Sequence, residues 1–207
     1  NLSLVDATDD FTFSAWINTD SVTGGHEIMT DYDSNAENGG WHFTTNGSNL
    51  WVMTHHIGTD GNVSTTGGIS IGTWKYVTVR RYYTGSAYTL ELYIDGVSQI
   101  TGNDPTSGSA DNTNDELQPF CVGIRRLSSP LYYFDGLIDE VRVSISDTGL
   151  GAARSAGWIK TSYDNQNAPA AFSSAGSEDS TFTWDGSSST DWDTAANWDV
   201  NAVPGAG

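Results

Sequence analysis

The sequence is poor in several things, and each scarcity narrows what the chain can be. One cysteine, Cys121, stands among 207 residues, so no disulfide closes within the chain and cysteine count leaves the redox compartment open. Its setting, PFCVGI, suits a small buried filler. Cations are scarce: eight Lys+Arg stand against 26 Asp+Glu, a formal charge of −18. A chain so charged repels phosphate backbones and anionic lipid, which argues against nucleic acid and membrane as partners. No run of 18 apolar residues occurs, so no transmembrane helix is expected. The chain starts at Asn1 with neither Met nor a signal peptide, and reads as a piece of something longer, with flanking domains.

Catalytic constellations are missing as well. No Glu-x-Asp-x-Glu strand places paired carboxylates on one face, and Asp139 and Glu140 are adjacent and therefore splayed to opposite faces. There is no Gly-x-Ser-x-Gly elbow and no phosphate loop. His55 and His56 point to opposite faces of a strand. His42 and His56 could meet across a hairpin, yet no cysteine or third close histidine completes a zinc set.

What is present is β-sequence almost throughout. Segments 11–20, 26–33, 40–47, 49–58, 73–85, 88–96, 119–127 and 137–145 are rich in β-branched and aromatic residues, and Asn-Gly, Asp-Gly, Gly-Gly and Thr-Gly clusters part them. Short strands at that spacing, with 23 glycines, predict an all-β sandwich or jelly roll. Helix signal is confined to 151–166, where one or two turns are expected to pack across the sandwich before Pro169 ends them. Beyond it, 171–181 is a Ser/Ala/Gly-rich linker, followed by a segment with Trp184, Trp192 and Trp198 among turn residues.

Four stretches in order, FTFSAWINTD, GTWKYVTVRRYYTG, LELYIDGV and FDGLIDEVRVSI, resemble the signature of laminin G-like, concanavalin A-like jelly-roll domains. The resemblance covers about residues 1–170 and implies a two-sheet antiparallel sandwich with a short C-terminal helix and tail. RSAGWIKTSYDNQNAPAAF resembles the end of such domains in large secreted bacterial proteins. The WxG, DWxxxxNW and VPG elements of 182–207 resemble the opening of a repeat in bacterial surface and autotransporter-like proteins, with an ordered tail packing on the sandwich as the alternative. The implied location is extracellular or at a bacterial cell surface.

Strand parity places Val77, Val79, Leu90, Leu92 and Ile94 in the core, and Tyr76, Arg80, Tyr82 and Tyr93 on the opposite face. On a concave outer face these aromatics suit the apolar C–H faces of sugar rings. Arg80, Tyr82 and Tyr93 are therefore candidate ligand contacts, with Trp41, Trp51 and His55 of the 40–58 hairpin as the alternative. Parity also places Asp139 with Leu137, Val141 and Val143 on an apolar side, where a carboxylate needs a partner. The resemblance implies a structural calcium there, held by Asp139 against the N-terminal segment with Asp6, Asp9 or Asp10; a backbone-bonded or arginine-paired carboxylate is the alternative. Asp31, Asp33, Asn35 and Glu37 form a second calcium candidate, although Ala36 and His42 stand where an EF-hand needs Gly and Glu. The expected function is a non-catalytic carbohydrate-binding module for a polysaccharide, with a protein-binding or adhesive spacer, or a glycoside hydrolase-like enzyme, as alternatives.

Overall fold

The computed structural model describes residues 9–32, 40–56, 59–105, 120–125, 132–145, 153–173, 183–199 and 203. The chain divides into two compact units, 1–168 and 169–207.

The first unit is a sandwich of two antiparallel sheets. One runs β10(Gly136–Ile145)-β1(Phe11–Thr19)-β6(Lys75–Tyr83)-β7(Tyr88–Ile94)-β8(Val97–Asp104). The other runs β5(Thr59–Gly68)-β4(Asn49–His56)-β3(Gly40–Asn46)-β2(Gly25–Thr30)-β9(Cys121–Val122). Alternation builds the core: Phe11, Phe13, Ala15 and Ile17 of β1, Val77 and Val79 of β6, and Leu90, Leu92 and Ile94 of β7 face Trp41, Phe43, Leu50, Val52 and Val63 of the second sheet. Asp95 and Gly96, both at positive φ (53° and 73°), make the two-residue turn between β7 and β8, as their sequence predicts.

Strands β5 and β8 were not expected. TDGNVSTTGG is polar and glycine-rich and VSQITGND is mostly polar, and both are sheet edges, where strands are kept short of apolar side chains. At one end of the core the inward position after Val79 is Arg81. Its Nε donates to Asp104 Oδ2 at 2.5 Å, and Asp104 Oδ1 accepts from Thr54 Oγ1 of the other sheet at 2.9 Å. A fully buried pair joined to both sheets in this way fixes how they stack.

Helix α1(Ala156–Asn167) is three turns long rather than one or two. Ser155 caps it, its side chain accepting from Trp158 N. Ile159, Trp158 and Tyr163 lie on Tyr76, Tyr93 and Trp16, and Trp16 Nε1 donates to Gln166 Oε1 at 2.9 Å. The helix thus covers the outer face of the first sheet. Gly96 allows that approach, since a Cβ there would meet Lys160 and Tyr163 at 3.1 Å.

The second unit holds α2(Pro169–Phe172) and a knot over 183–199. Buried Asn197 is its hub: Oδ1 accepts from Ser188 N and Ser189 N, and Nδ2 donates to Ser189 Oγ and Asp191 O. Trp184 pairs by backbone with Trp198, whose Nε1 donates to Trp192 O.

Candidate functional site

Helix α1 removes one of the two expected surfaces. Tyr93 is 1 % exposed beneath it, and Arg80 is held by Glu91 (Nε to Oε2, 2.8 Å) and by the Arg154 carbonyl (3.2 Å). Tyr82 lies 4.4 Å under the Arg80 guanidinium. These three do face away from the core, as parity predicts, but Tyr93 is packed under helix α1 while Arg80 and Tyr82 are half-buried beside it. Burial, with the Glu91 carboxylate beside it, pushes the Tyr93 phenol well above its ordinary value. Burial likewise raises Tyr88.

The outer face of the second sheet has no helix over it among the described residues. Pairing aligns Glu27, Thr44, Trp51 and Ser64 in one row, His42, Met53 and Asn62 in the next, and His55 and Asp60 in a third. Of the hairpin candidates, Trp51 and His55 stand here. Trp41 does not: it points the other way, 2 % exposed, its ring 4.2 Å from that of Phe13 in the core.

Residues that were not among the candidate ligand contacts complete this face. His42 Nδ1 lies 2.9 Å from Glu27 Oε1, and because a carboxylate accepts, the imidazole donates there. His42 is fully buried, with the Tyr32 ring 4.1 Å away and Trp51 parallel to it at 6.3 Å. His42 Nε2 and Glu27 Oε2 find no partner among the described residues. Arg125 Nε approaches Glu27 at 3.7 Å, and its guanidinium stacks 3.8 Å over Tyr132. His55 pairs with Asp60 across β4 and β5, and its ring meets Tyr32 edge-on at 5.7 Å.

Tyr32 takes its place for a local reason. Asp31 Oδ1 accepts from Trp41 N at 2.8 Å, folding the chain after β2 back against β3. A Cβ on Gly40, which sits at φ 125°, would come within 2.9 Å of Tyr32 Cα. Only glycine lets the tyrosine backbone lie there. No local pattern announces this, since the run from His26 to Asp31 does not alternate polar and apolar residues and the partner of Glu27 lies across the sheet.

Of the carboxylates expected to share calcium, Asp139 is not brought together with Asp9 or Asp10. Asp139 pairs with Trp16, and the stretch of β1 from Asp10 to Trp16 is about 20 Å long at the antiparallel rise of roughly 3.4 Å per residue. Asp9 and Asp10 are buried at the start of β1, where Asp9 O accepts from Arg81 and Asp10 Oδ1 from Tyr83 N. Asp6, Asp33, Asn35 and Glu37 lie outside the described residues. Among the described residues no three His, Cys, Asp or Glu side chains converge as a metal site.

Asp139 is exposed rather than facing an apolar side. A bulge sets Glu140 and Val141 against Ala15 alone, with Glu140 at φ 51°, and it breaks the strand's alternation. Ile138 packs on the core while Leu137 is 61 % exposed. The Asp139 carboxylate accepts from Glu140 N at 2.8 Å and so ties down the bulge, the backbone-bonded role that stood as the alternative.

Residues 1–146 match the model of the concanavalin A-like lectin/glucanases superfamily, laminin G type, and the chain belongs to that superfamily. The CBM40 module of a Ruminococcus gnavus IT-sialidase, solved with α2,3-sialyllactose, has a TM-score of 0.54 at 9 % identity, over 75 % of this chain and 83 % of that one. Domain 4 of AbnA, an extracellular arabinanase from Geobacillus stearothermophilus in complex with arabinotriose, gives 0.53 at 17 %, over 76 % and 68 %. A SAP-like pentraxin from Limulus polyphemus gives 0.52 at 12 %, over 74 % and 69 %. At such identities the likeness is one of fold. No curated protein matches the chain.

Proposed function

We propose that the domain is a non-catalytic carbohydrate-binding module whose site is the outer face of the second sheet. One observation carries this reading: Trp51, Tyr32 and Tyr132 lie around buried Glu27 and His42, each with a polar atom that has no partner among the described residues, on a sheet face that no described helix covers. Aromatic faces take the C–H side of a pyranose, and His55, Asp60 and Asn62 offer hydrogen bonds to its hydroxyls. The solved carbohydrate-binding relatives of the same fold support the ligand class.

Catalysis fits poorly. Glu27 and Asp60 stand on β2 and β5, three strand spacings or about 14 Å apart, beyond the roughly 9.5 Å that even an inverting pair of carboxylates spans. Each is also paired with a histidine.

A glycan array run with the natural protein, Trp51→Ala and Tyr32→Ala tests the reading. A hit by the natural protein that both variants weaken about tenfold while still folding, with a melting temperature lowered by a few degrees at most, is expected. A natural protein that binds no glycan, or variants that bind as well as it does, would end it. Extracellular placement belongs to the same reading, and no described helix is long and apolar enough to cross a membrane.

Calcium enters only through a direct test. Binding to the folded state alone at a hundredfold excess over Kd stabilises by about 2.7 kcal/mol, which raises the melting temperature by several degrees. Equal melting in chelator and in millimolar calcium would remove the ion from this account.

A further inference from the structure

In so acidic a chain the described cations are, with one exception, paired with carboxylates. Lys75, Arg80, Arg81, Arg125, Arg142 and Lys160 each form an ion pair with an Asp or Glu. Arg154 is the exception among the described residues. Its Nε donates to Ser144 Oγ at 3.1 Å, its backbone N–H donates to Thr12 Oγ1, and its guanidinium lies 5.1 Å over the Trp158 ring. The terminal N–H groups of its fork make no bond among the described residues.

Arg154 borders a cleft. Between β10 and the start of α1 lies a cavity of about 510 Å³ with Ser144, Ile145, Arg154, Ser155 and Trp158 in its wall. Two hydroxyls there keep a proton to give: Ser144 Oγ accepts from Arg154, and Ser155 Oγ accepts from Trp158 N. The first turn of α1 brings no acidic residue to compete for the guanidinium. Glu91, on the neighbouring Arg80, is already neutralised. Distant carboxylates act weakly, because the Debye length is about 8 Å at physiological salt.

We propose that this cleft is a second saccharide subsite, on the first sheet's side of the sandwich, that takes an acidic sugar. The Arg154 fork holds a carboxylate or sulfate oxygen pair, the serine hydroxyls donate to ring substituents, and Trp158 with Ile145 supplies the apolar wall. The choice of a saccharide rests on the glycan-binding reading above; the anion site itself rests on Arg154 and the cleft.

Titration calorimetry with two matched pairs of probes tests it: oligogalacturonate against its methyl ester, and sulfated against desulfated chondroitin oligosaccharide. At least one acidic probe should bind about tenfold or more tighter than its neutral counterpart, and Arg154→Gln should abolish that difference. Arg154→Lys, which keeps the charge, should restore part of it and guards against a folding defect. Trp51→Ala should leave acidic binding intact. Acidic and neutral partners binding alike, neither acidic probe binding, or Arg154→Gln without effect would each overturn the proposal. Acidic binding without any neutral-glycan binding would sink the open-face reading and leave this subsite standing, so the two fail separately.

Discussion

Trp41 and Trp51 belong to one hairpin and look interchangeable in the sequence, yet they point to opposite sides of the sheet. Trp41 fills the core beside Phe13, so Trp41→Ala should cost about 3–5 kcal/mol in urea unfolding. Trp51 is half-buried on the outer face, and Trp51→Ala should cost no more than about 1 kcal/mol while weakening glycan binding. Equal losses of stability would mean that Trp51 is a packing residue. The tyrosines give a pH prediction. Tyr93 and Tyr88 have phenols raised above 10.0, chiefly by burial, so the fold favours the neutral form. That stabilisation is whole below pH 10, the unfolded value, and is lost as pH climbs above it toward the folded-state values. The melting temperature should fall on raising pH from about 9 to about 11, and less steeply in Tyr93→Phe. A fall of equal steepness in that variant would acquit Tyr93.

At the level of elements, the bulge in β10 decides where its side chains go. Glu140 sits in the left-handed region at φ 51°, a conformation costing an ordinary residue roughly 1–2 kcal/mol. Glu140→Gly relieves that cost but loses an exposed pair with Arg142, worth at most about 1 kcal/mol, and adds backbone entropy to the unfolded chain. Near-neutral or slightly stabilising behaviour is expected for Gly. Glu140→Val should lower stability by more than about 1 kcal/mol, although valine is the better strand former, because a β-branched residue resists positive φ. A melting temperature for Glu140→Val above the natural protein's would contradict the assigned backbone. Helix α1 matters in a similar way. Ile159→Ala should cost about 2–4 kcal/mol, measured by denaturant unfolding, since it empties the contact that seals Tyr76 and Tyr93.

For the whole molecule, the division into units 1–168 and 169–207 predicts a two-step response to protease. The Ser/Ala/Gly-rich stretch 173–181 has little apolar surface to bury, so cleavage should fall there first and leave a resistant sandwich. Mass spectrometry of the early fragments would read it. Protection of that stretch equal to that of the sandwich strands would show the chain to be a single cooperative body.

Much was written in the chain itself. Alternating apolar residues in β1, β6 and β7 determined an all-β sandwich and named its core, because a strand's period of two leaves no choice of face. The Asp95-Gly96 turn was legible too, since few pairs accept two positive φ angles. Polar edge strands β5 and β8 were hidden, because edges suppress the pattern by which strands are recognised. The site was the least legible part. Parity told which side chains leave the core but not which outer face a helix covers, and that was decided by α1 docking on the first sheet. The partners Glu27, Tyr32 and His42 stand on different strands or their ends, Arg125 lies far along the chain, and they meet only through strand pairing and the close approach at Gly40. A local pattern can fix a side chain's direction, but what lies opposite it belongs to long-range register and packing.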